Sequence, residues 1–372
     1  MSVVSVSGRL VMDDAILEGS IEIADGRIVD VIMGSVPEDA PLVSPGFVDV
    51  HVHGWGGHDA MGDLAALDGM SRALLGRGVT SFVPTAVTAP LTVLAEFGER
   101  VSSWMAAAPA DGAEPLGFNL EGPFIAPARR GAHDPALLLA PAEADLDLFS
   151  QFGDAWRLVT IAPELPGALE LISAVAGRGV AVSLGHSDAT LDQAVAGYRA
   201  GAKSTTHLFN AMSGVDHRAP GLAVAALLDD NVFVELIADG IHVDAAIWAL
   251  IMRLKPANRL LLVSDAVALA GTGDDRGKIG GLDVEVTGER VTLAGTTTLA
   301  GSVLSLDTAV RNLVATGVPL PQAVAAASRN PLELLGVTDR GRIAVGQQAD
   351  LVELDAADLH VRRVMKGGDW AV

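Results

Sequence analysis

The sequence contains no cysteine among its 372 residues. This absence excludes both a disulfide framework and a metal site built from thiolates. The sequence also lacks any run of about 20 uninterrupted apolar residues, the length that a helix needs to span a bilayer. Its first ten residues, MSVVSVSGRL, contain no basic region followed by a long apolar run and so do not predict a signal peptide. We therefore expect a soluble cytoplasmic protein.

Basic residues are scarce as well. The sequence has 25 lysines and arginines against 46 aspartates and glutamates, which gives a formal net charge of −21. This charge argues against a nucleic-acid partner and against binding to an anionic membrane surface. An anionic ligand would need a local positive site, because the field of the whole molecule is largely screened beyond about 8 Å. We expect a small-molecule ligand held by a few basic side chains.

The middle of the sequence predicts an α/β fold, a (β/α)8 barrel of the TIM type. Helical patterns such as DLAALDGMSRALLGRG, ATLDQAVAGYRAGA and DAAIWALIMRLKP separate most of the strand-like segments. Eight strands with intervening helices in about 300 residues suit this barrel. A doubly wound open sheet is the alternative, but its glycine-rich fingerprint is missing after the first strand. The strand candidates are FVDVHVHG, GVTSFVPTAV, EPLGFNLEGPF, WRLVTIAPE, GVAVSLGHSD, STTHLFNAMS, NVFVELIADGIH and RLLLVSDA.

The two ends of the sequence have a different character from the middle. Near the start, GSIEIADGRIVDVIMG predicts a hairpin that turns at Asp25 and Gly26. The last segment, GRIAVGQQADLVELDAADLHVRRVMKGGDW, has the same short alternating texture. We therefore expect residues 1–45 and 341–372 to form a small β-sandwich domain together. Residues 46–340 would form the barrel.

Polar residues stand where the predicted strands end. His51 and His53 are two positions apart, and side chains at that spacing share one face of a strand. Alone, such a pair is more often structural than metal-binding. Four imidazoles and two carboxylates at the carboxyl rim of one barrel, however, suit zinc or a similar divalent ion. The six residues at strand ends are His51, His53, Glu121, His186, His207 and Asp265.

These motifs carry a resemblance to a known family. PGFVDVHVHG resembles the opening strand of the amidohydrolase superfamily. The segments NLEGPF, GHSDA, THLFNAM, IADGIHVD and LVSDA resemble the N-acetylglucosamine-6-phosphate deacetylases, in the order found in that family. The resemblance covers residues 43–310, and GQQADLV resembles the sheet segment that follows the barrel.

The resemblance implies hydrolysis of N-acetyl-D-glucosamine 6-phosphate to D-glucosamine 6-phosphate and acetate, in amino-sugar catabolism and cell-wall recycling. It also implies one or two divalent ions per chain, with zinc expected and iron, manganese or cobalt as alternatives. Glu121, His186 and His207 would hold the principal ion. His51 and His53 would hold the second, with Glu121 bridging and Asp265 nearby.

Further roles follow from the same resemblance. Asp265 would be the catalytic acid and base, and His133 would polarise the substrate carbonyl. Arg218 and His242 would bind the phosphate, and in a homodimer Arg218 would reach in from the neighbouring subunit. The substrate-binding set is Ala132, His133, Asn210, Ala211, Arg218, His242, Leu299, Ala300 and Gly301.

Two other readings stay open at this point. The first is a different amidohydrolase, such as a dihydroorotase, a dipeptidase, or a deacetylase of N-acetylgalactosamine 6-phosphate. The second is a non-enzymatic scaffold that keeps the barrel without its chemistry. All six positions at the strand ends carry residues that can bind a metal, which favours an enzyme.

Overall fold

The computed structural model describes residues 3–372, and its centre is a barrel of eight parallel strands. Each strand pairs with the next one along the chain. The first and eighth strands meet at the rim, where the Asp265 N–H donates to the His51 carbonyl at 2.9 Å. The predicted α/β barrel is confirmed. In order, the barrel strands are Phe47–Val52, Val79–Ala86, Phe118–Glu121, Trp156–Ile161, Ala181–Leu184, Ser204–Thr205, Phe233–Leu236 and Leu260–Leu262.

Helices follow most of the barrel strands, and local capping explains where several begin. The Asp63 side chain accepts the Ala66 N–H at the start of the first helix, and Thr190 forms a capping box with Gln193. In residues 3–372 no helix is both long and apolar enough to cross a membrane. The α-helices span Leu64–Leu75, Leu91–Met105, Ala168–Ala176, Leu191–Arg199, Leu222–Leu228, Ala245–Leu254, Leu306–Ala315, Leu320–Ala326 and Arg329–Leu335.

The connection between the third and fourth barrel strands contains only 3-10 turns. They cover Pro127–Arg129, Pro135–Leu137, Pro141–Glu143 and Leu146–Ala155. Three of these turns begin with a proline, which suits the first position of a helical turn because the N–H that proline lacks would have no partner within the turn. This irregular connection brings His133 over the carboxyl end of the barrel.

The two ends of the described chain contribute their strands to one sheet. Its seven strands are hydrogen-bonded in a continuous row. The hairpin turns at Asp25 and Gly26, which both have positive φ (50° and 75°), the requirement of a tight hairpin turn. We keep residues 45/46 and 340/341 as the proposed domain boundaries. In spatial order the strands are Asp369–Trp370, Val361–Lys366, Leu351–Leu354, Leu42–Pro45, Val4–Val11, Ile16–Ala24 and Arg27–Met33.

A four-stranded antiparallel sheet follows the eighth barrel strand and was not predicted. It is inserted before the helix Leu306–Ala315 and has its own small hydrophobic core. The Ser302 N–H donates to the Asp265 carbonyl at 2.8 Å, so the last strand of this insertion is attached to the barrel rim. Its strands are Arg276–Ile279, Leu282–Thr287, Arg290–Leu293 and Leu299–Ser302.

Candidate active site

The carboxylate of Glu121 lies at the centre of the barrel rim, surrounded by imidazoles. Its Oε1 is 2.9 Å from His186 Nε2, 2.9 Å from His207 Nε2 and 3.5 Å from His51 Nε2. Its Oε2 is 3.3 Å from His53 Nε2. All of these side chains are buried. The ends of the first, third, fifth and sixth strands therefore meet at one carboxylate.

Asp265 completes this group from the end of the eighth strand. Its Oδ1 is 3.1 Å from His53 Nε2 and 3.6 Å from His51 Nε2. Burial alone would raise the pKa of Asp265, but the hydrogen bond from His53 and the nearby imidazole charges lower it to about 2. Asp265 is thus an ionised carboxylate at the base of the pocket. The structure brings together all six residues that the sequence singled out at strand ends.

Hydrogen bonds behind the imidazoles fix which nitrogen faces the centre. His53 Nδ1 is 3.1 Å from the Thr85 carbonyl, and His186 Nδ1 is 2.9 Å from the Arg129 carbonyl. A carbonyl can only accept, so both Nδ1 atoms carry a proton. When the rings are neutral, as metal ligands must be, they present the Nε2 lone pair to Glu121. This is the orientation that metal-binding histidines adopt.

Lone pairs packed this closely require a cation between them. His186 Nε2 and His207 Nε2 are only 3.0 Å apart, and each is 2.9 Å from Glu121 Oε1. His51 Nε2 has no hydrogen-bond partner although it is fully buried. Either added protons or metal ions must occupy these contacts, and metal binding would displace the protons. Imidazoles and carboxylates without thiolates form a donor set that fits zinc or a similar divalent ion.

His133 faces the same centre, but it presents a protonated nitrogen where the other histidines present a lone pair. Its Nδ1 accepts the Thr88 N–H at 3.3 Å and lies 2.7 Å from Thr88 Oγ1. The proton of the neutral ring is therefore on Nε2, which points at Glu121 Oε2 from 3.3 Å. Burial lowers the pKa of His133 to about 4, although the Glu121 carboxylate acts in the other direction. His133 offers a hydrogen-bond donor to the pocket instead of a metal-binding lone pair.

Several rim residues have a backbone conformation that is rare outside glycine. His186, His207 and Asp265 have φ values of 46°, 29° and 51°, and Ala211 has 48°. Non-glycine residues at positive φ cost free energy and persist where the surrounding structure holds them, often at functional sites. This local conformation turns the side chains at the strand ends toward the common centre.

A pocket of about 320 Å³ opens above these residues. Its walls come from the third–fourth connection, the sixth and seventh strand ends and the inserted sheet. The predicted substrate residues that line it are Ala132, His133, Asn210, Ala211, His242, Leu299 and Gly301.

Two predicted substrate residues do not line the pocket of their own chain. Ala300 is 1% exposed and packs in the core of the inserted sheet, because side chains alternate along the strand and Ala300 faces away from Leu299. Arg218 is exposed on a loop, where its backbone N–H donates to Asp216 Oδ1 at 2.7 Å. Within one chain, therefore, Arg218 is not part of the site.

Two residues near the site were missed by the sequence analysis. Glu235 is fully buried in the seventh strand, with Oε2 at 3.0 Å from His51 Nδ1. It is the one charged residue inside the apolar run VFVELIA, which was the available signal. Arg129 lines the pocket and pairs with Asp188, with Nε 2.9 Å from Oδ1. No sequence motif distinguishes Arg129 from other surface arginines.

Comparison with known proteins identifies the family. Residues 42–371 match the model of the amidohydrolase family. The chain is 39% identical to an N-acetylgalactosamine-6-phosphate deacetylase of Escherichia coli O157:H7, over 98% of this chain and 97% of the relative. It is 41% identical to an N-acetylglucosamine-6-phosphate deacetylase of Bos taurus, over 89% of this chain and 84% of the relative.

A solved structure of a similar deacetylase also superposes on this chain. A mutant of N-acetyl-D-glucosamine-6-phosphate deacetylase from Mycobacterium smegmatis, in complex with N-acetyl-D-glucosamine-6-phosphate, superposes with a TM-score of 0.92 at 36% identity, and the match covers 100% of both chains. The chain therefore belongs to the amidohydrolase family, as the strand motifs predicted, and stands there among the deacetylases of N-acetylated hexosamine 6-phosphates.

Proposed function

We propose that this enzyme hydrolyses N-acetyl-D-glucosamine 6-phosphate to D-glucosamine 6-phosphate and acetate, in cytoplasmic amino-sugar catabolism and cell-wall recycling. The observation that carries the proposal is the pocket floor, where Glu121 and Asp265 lie among the Nε2 atoms of four histidines. The donor at His133 Nε2 stands beside this group. The names of the relatives supply the substrate class.

The metal is proposed to be zinc, with iron, manganese or cobalt as alternatives. Glu121, His186 and His207 would hold the principal ion, and His51 and His53 the second. When bound, a divalent ion activates water as a nucleophile and polarises the carbonyl of an amide. Both effects are needed, because an amide is a poor electrophile and neutral water is a poor nucleophile.

In this proposal Asp265 transfers the proton, and His133 polarises the carbonyl. Asp265 is ionised, so it can accept a proton from the attacking water and deliver it to the departing amine. His133 Nε2–H donates a hydrogen bond to the acetyl oxygen, where negative charge develops. The neutral state of His133 at physiological pH leaves that donor unchanged through the reaction.

The sugar phosphate is proposed to lie in the outer part of the pocket. Asn210, His242 and the backbone at Ala211 line this part. Arg218 would enter from the partner subunit of a homodimer, because it lies outside the pocket of its own chain. A guanidinium forms paired hydrogen bonds to phosphate oxygens and so suits this role.

The alternative substrate is N-acetylgalactosamine 6-phosphate. The relative that acts on it, from Escherichia coli, matches this chain over almost its whole length. The two sugars differ only in the configuration of one hydroxyl group, so a comparison of both epimers as substrates distinguishes the two functions.

Acetate release from three sugars tests the proposal. N-acetylglucosamine 6-phosphate, N-acetylgalactosamine 6-phosphate and unphosphorylated N-acetylglucosamine are compared with metal-loaded enzyme by kcat/KM. We expect the first to be the best substrate and the third to be poor. A preference for the galactosamine epimer would establish the alternative. Absence of acetate release from every sugar, with metal bound, would contradict a deacetylase.

A further inference from the structure

Glu235 lies deep in the barrel and contacts His51 on the side of the ring that faces away from Glu121. Its side chain is fully buried in the strand Phe233–Leu236, which places it below the rim. Its Oε2 is 3.0 Å from His51 Nδ1 and also accepts the backbone N–H of His207 at 3.0 Å. One oxygen atom thus contacts both the first and the sixth barrel strands.

The geometry determines which nitrogen of His51 carries the proton. Oε2 already accepts the His207 N–H, and the other oxygen, Oε1, has no hydrogen-bond partner at all. In its ionised form the Glu235 carboxylate can only accept, so Nδ1 of His51 is the donor in the contact with Oε2. The Nε2 atom of the neutral ring is then left as a lone pair, 3.5 Å from Glu121 Oε1 and 3.6 Å from Asp265 Oδ1.

The other histidines facing the centre do not share this arrangement. His53 and His186 are backed by main-chain carbonyls, which no side-chain substitution removes. His207 Nδ1 has no partner. His51 alone among them is backed by a carboxylate, and a carboxylate behind an imidazole both fixes its tautomer and strengthens it as a ligand.

We propose that Glu235 is a positioning residue that holds His51 in the tautomer required to bind the second metal ion, and so sets whether the site holds one ion or two. This inference rests on the metal-binding part of the proposed function. Glu235 also adds a third buried carboxylate beside Glu121 and Asp265. Its negative charge offsets part of the charge that a second divalent ion brings into the barrel.

Two substitutions separate the hydrogen bond of Glu235 from its charge. In Glu235→Gln, the amide oxygen can take the place of Oε2 and accept both N–H groups, while the negative charge is lost. In Glu235→Leu, both the acceptor and the charge are lost. Loss of a residue that hydrogen-bonds to a metal ligand typically weakens metal binding by about 10- to 100-fold. We expect the second zinc ion to bind about 10-fold more weakly in the glutamine variant and at least about 100-fold more weakly in the leucine variant.

The experiment titrates metal-free protein with zinc alone and measures stoichiometry and affinity by calorimetry and by elemental analysis. Glu353→Gln is the matched control, because Glu353 is a buried carboxylate that pairs with Arg363 in the terminal sheet, away from the pocket. Thermal unfolding checks that each variant is folded. The principal ion should bind the glutamine variant and the control as tightly as it binds the wild type.

A double substitution tests whether Glu235 acts through His51. In a His51→Ala background, Glu235→Gln should not weaken zinc binding any further, because the ring on which it acts is gone. Nitrogen-15 spectra of histidine-labelled, metal-free protein provide an independent readout once the pH is raised until the rings are neutral, because added protons otherwise occupy the contacts with Glu121 and Asp265. The His51 signal, identified by its loss in His51→Ala, should report a proton on Nδ1 in the wild type and a mixture of tautomers in Glu235→Leu.

The outcomes separate this inference from the proposed function. A wild type that binds two zinc ions, with both Glu235 variants binding the second ion at unchanged affinity, would overturn the inference alone. Equal weakening of both ions in Glu235→Gln would overturn it too, because the residue would then be a general structural support. A wild type that binds no zinc would contradict the proposed function itself.

Discussion

Asp239 holds His242 against the pocket wall through a contact of 2.6 Å between Oδ2 and the imidazole Nδ1. The other oxygen of Asp239 accepts the backbone N–H groups of Ile241 and His242, each at 2.8 Å. Burial would raise the pKa of Asp239, but the hydrogen bond from His242 outweighs it and keeps the pKa below its usual value. The carboxylate thus stays ionised and accepts from Nδ1–H, which leaves His242 Nε2 free on the side of the ring away from Asp239.

Asp239→Asn should weaken binding of the phosphorylated sugar more than it slows turnover. The amide removes the negative charge that orients His242, and loss of one well-placed interaction costs about 1.4 kcal/mol, a tenfold effect. We expect KM for N-acetylglucosamine 6-phosphate to rise about tenfold with kcat little changed, measured by steady-state kinetics. Asp244→Asn is the control, because Asp244 caps the next helix through the Ala246 N–H and does not line the pocket. A normal KM in Asp239→Asn would show that His242 needs no such support.

Substitution of Glu121 or His207 should remove most of the metal from the site. His207→Ala and Glu121→Ala remove groups that meet at the principal position, and we expect both to lose most of the bound metal and activity. His51→Ala should lose only the second ion, because Glu121, His186 and His207 remain. Elemental analysis of purified variants measures the loss. His360→Ala, on the exposed part of the terminal segment, is the control. Metal content like that of the wild type in both central variants would refute the assignment.

Removal of the metal from the wild type gives a complementary test. Treatment with a chelator should abolish acetate release, and added zinc should restore it, because activation of water and of the carbonyl both depend on the ion. The comparison of zinc, iron, manganese and cobalt for restoration then identifies which ion supports turnover. Full activity after verified metal removal would exclude a metal-dependent hydrolase.

Asp265→Asn should retain metal and substrate but lose turnover. Asparagine has a similar shape and cannot accept the proton that the reaction moves, and loss of general acid–base catalysis typically costs about 100- to 10,000-fold in rate. Metal content and substrate affinity are measured alongside kcat. Asp274→Asn, on the exposed loop that follows the same strand, should behave as wild type. Near-normal turnover in Asp265→Asn would mean that another group handles the proton.

Arg218→Ala should reduce the preference for the phosphorylated sugar. A charge-assisted hydrogen bond contributes about 1.5–3 kcal/mol, which corresponds to roughly ten- to more than a hundredfold in affinity. We expect the ratio of kcat/KM for phosphorylated over unphosphorylated substrate to fall by that factor. Arg253→Ala, on an exposed helix position, should leave the ratio unchanged. An unaltered ratio in Arg218→Ala would remove this residue from the phosphate site.

Mixed dimers test whether Arg218 acts across a subunit interface. A dimer of one Asp265→Asn chain and one Arg218→Ala chain has one complete site if Arg218 is supplied by the partner. That site combines the intact Asp265 of one subunit with the intact Arg218 of the other. Each mixed dimer should have about half of the wild-type activity, so random equimolar mixing should restore up to about a quarter. Failure of complementation in mixed dimers confirmed by mass spectrometry would contradict a role for Arg218 across the interface.

The barrel and its rim could be predicted because both follow from local patterns. Apolar runs that end in a histidine or an acid mark the carboxyl ends of strands, and a barrel brings such ends together. Glu235 could not be assigned in this way, since its partner His51 lies 184 positions away and only closure of the barrel brings them together. The role of a buried glutamate depends on that distant partner.

Other differences between the predicted and the observed structure also have local causes. The inserted sheet was missed although LDVEVT and RVTL alternate polar and apolar residues around a turn at Gly288 and Glu289. Ala300 was grouped with its neighbours, but alternation along the strand turns it into the core of the insertion. The proposed role of Arg218 involves a second chain, and the sequence of one chain does not specify how two chains meet.

The terminal sheet has a consequence for how the protein is made. Leu351 pairs with Pro45, and these strands are joined through the entire barrel, about 300 positions of chain whose closure carries an entropic cost. During synthesis the strand Leu42–Pro45 leaves the ribosome long before its partner Leu351–Leu354 is translated, and one edge stays open in the meantime. Open strand edges are templates for aggregation. The pairing of Leu42–Pro45 with Leu351–Leu354 can therefore form only after the whole barrel has been synthesised.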